Sequence, residues 1–516
     1  MNQSKFIFPG ALGLLLCLPV AGQIHLQLLG TYSTNIFNAS GSEISAYDAN
    51  TKRVFSSNVK NNAVDILDIS DPKSPVLMTS VSLTRYGGNP NHIDVKNGIV
   101  AVAVENSVKT DPGMVVFLDT SGTYLGSVTV GAEPDMLVFT PDGNKVLVAN
   151  EAEPNDQCTI DPEGSISIID ISGGARGLTQ DNVKTADFKA FTKDNIDPRI
   201  RIVTASNTVA QDLEPEYIAV STDSKTAWVT LQEANALAIV DIDNATVTRL
   251  VSLGFKDYSL PGNGLDPSDR DGGVNIGNWP VLGMYQPDHI SAYQVGGRTY
   301  LVTANEGDQR DWPGCNEVTR VSSLKLDPAA FPGSTIQLPA KLGRLRVTKV
   351  NGDANRDGLY EKLYAFGARS FAIWNADGQM VFESGDALEQ ITAAAYPDKF
   401  NATHTANLSF DARSPDKGPE PEGLVVGRLG DQWYAFISLE RIGGILVYDI
   451  TVPATPRFVE YVNNRNFNLS TKGGTAGDLG SEGMLFVPAA DSPNGKEMLI
   501  VSNEVSGTVS TYQVVQ

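Results

Sequence analysis

Histidine is scarce, with four in 516 residues. That excludes a histidine-rich metal centre, although His92, His289 and His404 can still serve singly. Catalytic motifs are missing as well: there is no Gly-x-Ser-x-Gly, no His-Glu-x-x-His and no phosphate-cradling glycine loop. Positive charge is short, with 39 Lys and Arg against 60 Asp and Glu and a formal net charge of −21. Nucleic acid and anionic membranes would be repelled, so neither is expected as a partner, while cations and cationic surfaces are favoured. The plainer use of such a surface is solubility. Helical periodicity is nearly absent, and no Ser/Gly-rich linker or low-complexity break divides the chain.

The start of the chain carries a basic residue, Lys5, an apolar run from about Phe6 to Val20 and then the small pair Ala21-Gly22. This predicts a secretory signal peptide over residues 1–22 and a secreted domain over 23–516. A membrane anchor would need about 20 uninterrupted apolar residues, and Pro9 and Pro19 break this shorter stretch; no other segment is suited to span a bilayer. Cleavage removes Cys17 and leaves Cys158 and Cys315 of the three cysteines, in a compartment where a disulfide between them persists. In a eukaryotic source Asn38, Asn244, Asn401, Asn407 and Asn468 would be glycosylation acceptors, each heading an Asn-x-Ser/Thr tripeptide.

What the chain has in abundance is one recurring unit. Its clearest copy runs Pro134-Asp135-Met-Leu-Val-Phe, a turn at Pro141-Asp142-Gly143, then Lys145-Val-Leu-Val-Ala-Asn150-Glu151 and, after an insertion, Gly164-Ser-Ile-Ser-Ile-Ile-Asp-Ile. The unit returns from Pro215-Glu216, and others start near Glu43, His92, Asp288, Glu422 and Glu482, with a weaker copy around residues 363–374. Short Val/Ile-rich strands at a period of roughly 40–75 residues predict an all-β fold, a single closed β-propeller. Eight blades are favoured; seven result if the weak copy belongs to its neighbour. The last unit has three clear strands, and residues 25–32 belong to no unit. They are expected to supply its missing outer strand, which closes the ring, hides a sheet edge and leaves no C-terminal tail to carry an anchor.

Acids recur at two positions of the unit. Glu43, Asp135, Glu216, Asp288, Glu422 and Glu482, with His92, stand at the entry to the inner strand; Glu105, Glu151, Glu233, Glu306, Glu440 and Glu504 stand at the end of the second. Both positions lie on one face of a propeller, so the side chains should converge on one rim of the channel. The insertions 151–163, 255–287, 306–322, 395–421 and 463–481 open on that same face, which makes this top face the candidate site. Such acids can instead brace neighbouring blades by accepting loop N–H groups, but a whole ring of like charge calls for cations or raised pKa values. Hard oxygen ligands suit calcium or magnesium. Asp308, Arg310, Lys417 and Arg441 stand among the acids, the basic three either as their salt-bridge partners or as a site for a phosphate or carboxylate bridged by metal.

A separate metal motif is Asp353-Ala-Asn355-Arg-Asp357-Gly358-Leu359-Tyr-Glu361. Oxygen ligands at positions 1, 3 and 5, glycine at 6, a carbonyl at 7 (Leu359) and an acid at 9 match the start of a calcium loop, whereas Tyr364 at position 12 departs from an EF-hand. A looser acidic turn, Asp266-Pro-Ser-Asp269-Arg-Asp271-Gly272, is a second calcium candidate.

Across Pro134 to Pro154, Glu214-Pro-Glu216 to Glu233, Thr303-Ala-Asn-Glu-Gly-Asp308, Lys417-Gly-Pro-Glu-Pro-Glu-Gly423, Glu440-Arg-Ile-Gly-Gly444 and Ser481 to Ser506 the chain resembles the choice-of-anchor I family. The resemblance implies an extracellular propeller, a link to biomineralisation in animal members, and relatives labelled alkaline phosphatase or phytase-like. Two functions are therefore expected to compete: a calcium-binding protein that meets matrix, mineral or glycan ligands on its acidic top face, and a calcium-dependent phosphoesterase that uses a metal-activated water on a phosphate ester. The lack of an evident protein nucleophile favours the first.

Overall fold

Runs such as Lys145–Asn150 (KVLVAN) and Ser165–Asp170 (SISIID) are rich in β-branched and apolar residues, as strands covered on both faces require. Tight turns reverse the chain between them. At Pro141-Asp142-Gly143 the Asp142 Oδ1 accepts the Asn144 N–H at 3.0 Å and Gly143 takes φ +74°, a left-handed conformation open to glycine at little cost.

In the computed structural model, which describes residues 24–333 and 335–516, these strands form seven four-stranded antiparallel sheets. The inner strands of blades 1 to 7 are Ser45–Asp48, Pro90–Lys96, Pro134–Phe139, Pro215–Val220, Ile290–Val295, Pro421–Leu429 and Ser481–Val487. Each inner strand touches the next, and that of blade 7 touches that of blade 1. Every one of the seven seams holds its own apolar core, from Ile44, Phe55, Ile93 and Val102 between blades 1 and 2 to Val54, Leu67, Val487 and Ile500 between blades 1 and 7. The ring is closed by the N-terminal strand, as expected. His25–Ser33 pairs antiparallel with Thr508–Val515, from His25 opposite Val515 to Ser33 opposite Thr508, and forms the outer strand of blade 7.

The favoured count of eight blades is corrected to seven. The weak copy at 363–374 is divided: Ser370–Asn375 is the third strand of blade 5, paired with Arg298–Asn305, while Tyr364–Ala365 runs parallel to Leu282–Met284 in a separate sheet. Residues 306–369 separate the second and third strands of blade 5, so the repeat is broken in sequence but intact in space. The long insertions are more than loops. Phe255–Asp257, Leu282–Met284, Val318–Arg320, Arg346–Thr348 and Tyr364–Ala365 build a five-stranded accessory sheet with its own core of Tyr258, Leu265, Leu342, Leu345, Val347 and Leu363. Among the described residues no helix is long and apolar enough to cross a membrane. The expected signal peptide lies outside the described residues.

Candidate functional site

The entry acids are aimed by bulges. In blades 3, 4, 6 and 7 the pairing of the inner strand slips between Pro134 and Leu137, Pro215 and Ile218, Pro421 and Leu424, and Ser481 and Met484. Asp135, Glu216, Glu422 and Glu482 sit in these slips, where an extra residue turns a side chain off the ladder. In blades 4 and 6 a hydroxyl of the second strand bonds the loosened backbone and ties the blade to the next. Thr230 Oγ1 donates to Asp288 O of blade 5 at 2.8 Å, and Ser438 Oγ donates to Ser481 O of blade 7 at 3.1 Å.

A second set of acids, not singled out in the sequence, stands just before these entries. Glu133, Glu214 and Glu420 each precede the proline that opens an inner strand. They hold the cations. Glu133 pairs with Lys109 at 3.0 Å; Glu214 and Asp212 clamp Arg310 at 2.6 and 2.9 Å. Glu420, wholly buried, binds Arg413, Lys417 and Arg441 together. The sequence signal was the Glu-Pro-acid triplet in blades 3, 4 and 6. Lys417 also contacts Glu306, and Arg441 meets Glu440 at 2.7 Å. The three basic residues expected near the rim are therefore there, each as the partner of two carboxylates. Burial raises the Asp308 carboxyl, and Lys417 nearby pulls it part of the way back.

The other acids have no such partner. No lysine or arginine pairs with Glu43, Asp135, Glu151, Glu216, Glu422 or Glu482 among the described residues. Burial pushes Glu43 and Asp135 up to about 8, with repulsion from Glu504 and Asp288 respectively adding to it. Burial and then Glu151 and Asp135 raise Glu216, and burial and then Glu306 and Glu482 raise Glu422, both well above the carboxylate range. Glu440 is the contrast: against burial, Arg441 and a hydrogen bond with His404 hold it low. Burial also raises Glu233 to about 7 and keeps Glu151 and Glu504 up.

Tyr217 closes the channel beneath the acids. It stacks on His289 of blade 5 with ring centres 3.9 Å apart and reaches His92 Nε2 of blade 2 at 3.4 Å. Below it a cavity of about 230 Å3 is lined by the inner strands, with Ser45, Asp94 and Ser291 among its polar groups. The acidic mouth is thus a funnel with a floor.

The loop at 353–361 carries its carboxylates together: one oxygen each from Asp353, Asp357 and Glu361 lies within 4.8 Å of the others. Asp353 accepts the N–H groups of Asp357 at 3.1 Å and Gly358 at 2.9 Å, and Glu361 accepts that of Ala354 at 3.0 Å. Asn355 Nδ2 donates to Asp357 at 3.1 Å, and the Leu359 N–H binds Asp357 Oδ1 at 2.8 Å. The looser turn is not assembled. Asp269 is taken by Arg344 at 2.8 and 3.0 Å, and Asp266 accepts the backbone N–H groups of Ser268 and Asn275.

Cys158 and Cys315 are bonded, with Cα atoms 5.9 Å apart, and join the insertions of blades 3 and 5. Of the five sequons, Asn38, Asn244 and Asn468 are exposed. Asn401 is wholly buried, its amide bonded to Glu389 and Ser414, and Asn407 donates to the Asn466 and Leu469 carbonyls. Neither buried amide has room for a glycan in this fold.

Fold and site define a seven-bladed propeller with an acidic funnel on one face. The sequence profile of the choice-of-anchor I domain matches residues 43–453, and the chain belongs to that family. It is 31% identical over 191 residues to Gigasin-3a of Magallana gigas, covering 35% of this chain and 67% of that protein. To the mesenchyme-specific cell surface glycoprotein of Strongylocentrotus purpuratus it is 25% identical over 279 residues, covering 47% of this chain but 36% of the relative. Solved structures align at lower identity: Kuenenia stuttgartiensis hydrazine synthase at 12%, TM-score 0.48, covering 92% of this chain and 96% of that one, and the WD40 domain of Toxoplasma gondii coronin at 10%, TM-score 0.48, covering 96% and 87%.

Proposed function

We propose that this protein is an extracellular calcium-binding propeller whose acidic funnel receives matrix, mineral or glycan ligands. The observation that carries the calcium reading is the 353–361 loop. Three carboxylates from one short turn converge within 4.8 Å, and without a cation they would repel one another. The disulfide favours an oxidising compartment, and a relative named as a cell surface glycoprotein fits the same placement. A phosphoesterase that gripped its phosphate with basic side chains would need one of them free. Arg310, Lys417 and Arg441 are each held by two carboxylates, which leaves a metal-activated water as the route to hydrolysis, and the lack of an evident protein nucleophile supports binding as the first reading.

Calcium titration by calorimetry tests the loop. At the extracellular range of about 0.1–1 mM, Asp357→Ala should bind one calcium fewer than the parent protein. An unchanged stoichiometry would remove the loop from the reading.

A further inference from the structure

Five clusters of metal-ligating side chains stand among the described residues, and in three of them a basic side chain already serves as the cation. Lys109 lies between Glu133 and Glu153 of the first, which also includes Glu151. Lys417 and Arg441 bind the Glu306, Glu420 and Glu440 set. Arg441 Nη1 lies 2.7 Å from Glu440 and 2.8 Å from His404 Nδ1 in the His404, Glu440 and Glu504 set. The calcium loop is the fourth. The fifth is Asp288, Glu306 and Glu422, in the floor of the funnel between blades 5 and 6.

This fifth cluster is buried and short of positive charge. Its members are 9%, 8% and 7% exposed, and one oxygen from each lies within 4.8 Å of the others. Lys417 touches Glu306 alone of the three and is shared with Glu420. Asp288 has the His289 ring at 2.7 Å, and Glu422 Oε2 is buried with no hydrogen-bond partner. A carboxylate oxygen so placed forgoes hydration without recompense unless something else binds it. The three acids come from three rigid positions: the entry to blade 5, the end of its second strand and the bulge of blade 6. Three oxygens within 4.8 Å of one another lie no farther than about 2.8 Å from a common point, so small side-chain adjustments bring all three to a calcium–oxygen distance of about 2.3–2.6 Å.

We propose that Asp288, Glu306 and Glu422 hold a second divalent cation of the calcium and magnesium class, at the centre of the top face. It is separate from the loop site and does not depend on it. A cation there sits at the floor of the funnel, where an anionic or polyhydroxylated ligand entering from the top could complete its coordination. The proposal thus deepens the binding role given to that face.

The test is calorimetry with calcium alone on the parent protein, Asp357→Ala and Glu422→Gln, with folding checked by circular dichroism. The loop variant should retain one calcium, Glu422→Gln should retain only the loop's, and the double variant should bind none. Terbium, excited through nearby tyrosine, reports the same ion, because Tyr217 stacks on the histidine that holds Asp288. In the Asp357→Ala protein its emission should persist and be displaced by calcium. If Asp357→Ala alone abolishes binding, the central site is overturned while the loop stands. If Asp357→Ala changes nothing and Glu422→Gln removes the ion, the loop fails and the centre stands. Binding that survives in Asp357→Ala and is untouched by Glu422→Gln also overturns the assignment. The first of these outcomes needs no substitution in the centre, so it decides the matter even where Glu422→Gln does not fold.

Discussion

Glu420 is the residue on which the basic side of the funnel depends. It lies before Pro421, where the α conformation is disfavoured, and takes φ +52°, as Glu133 does at +47° before Pro134. A non-glycine residue in that region costs of order 1–3 kcal/mol, and here the strain places one carboxylate between Arg413, Lys417 and Arg441. Those cations outweigh the upward push of burial and hold its carboxyl well below the usual range. Removing one member of a buried ion cluster leaves charge unpaired and costs about 3–5 kcal/mol. Glu420→Ala should therefore lower the melting temperature sharply in a thermal scan, more than Glu420→Gln, which keeps a carbonyl oxygen for the same donors. A melting temperature equal to the parent's would mean that Glu306, Glu440 and Asp416, the last 3.0 Å from Arg413, carry these cations unaided.

Among the elements, the strand at His25–Ser33 has an influence beyond its length. It covers the outer edge of the Thr508–Val515 strand along its whole run, and Leu26, 2% exposed, reaches the core between blades 6 and 7. Deleting residues 24–33 would expose the unpaired edge of a strand whose fellows are already in the ring, and edges of that kind pair with other chains. The truncated protein should aggregate or melt well below the parent, as followed by light scattering during a thermal scan. A truncated chain that stays monomeric with an unchanged melting temperature would show that the ring closes without it. The accessory sheet makes the opposite point. Its strands are two or three residues long and come from two insertions, so no local period announces them.

For the molecule as a whole, the funnel makes stability depend on pH. Glu43 and Asp135 titrate at about 8 and Glu233 at about 7, all raised chiefly by burial, against about 4 in an unfolded chain. Between these limits the folded protein binds more protons than the unfolded one, so their contribution to stability falls as pH rises. It is fully present below about pH 4 and lost by about pH 8–9. In chelator the melting temperature should drop from pH 6 to pH 8.5, and saturating calcium should reduce that drop by supplying positive charge in place of protons. A melting temperature that climbs across this window without calcium would contradict the account.

The sequence by itself determined the fold class, the closing strand, the face that carries the acids and the converging loop at 353–361, because each is written in local spacing: a two-residue alternation, a repeated turn, an acid at a fixed place in every unit. Cys158 and Cys315 were legible for a simpler reason, since the signal peptide expected over residues 1–22 contains Cys17 and its removal would leave one possible pair. Tertiary structure alone decided the blade count, because Ser370–Asn375 rejoins Arg298–Asn305 across residues 306–369 and pairing across such a gap leaves no period to read. It also decided which charges are free. Lys417, Arg441 and Arg310 lie among acids in the sequence, but only packing brings Glu420, Glu440, Glu214 and Asp212 against them and leaves Glu422 without a cation. Burial separates Asn401 and Asn407 from the three exposed sequons in the same way. Spacing records what one strand or turn does by itself, whereas electrostatics and solvent access depend on distances between residues far apart in the chain.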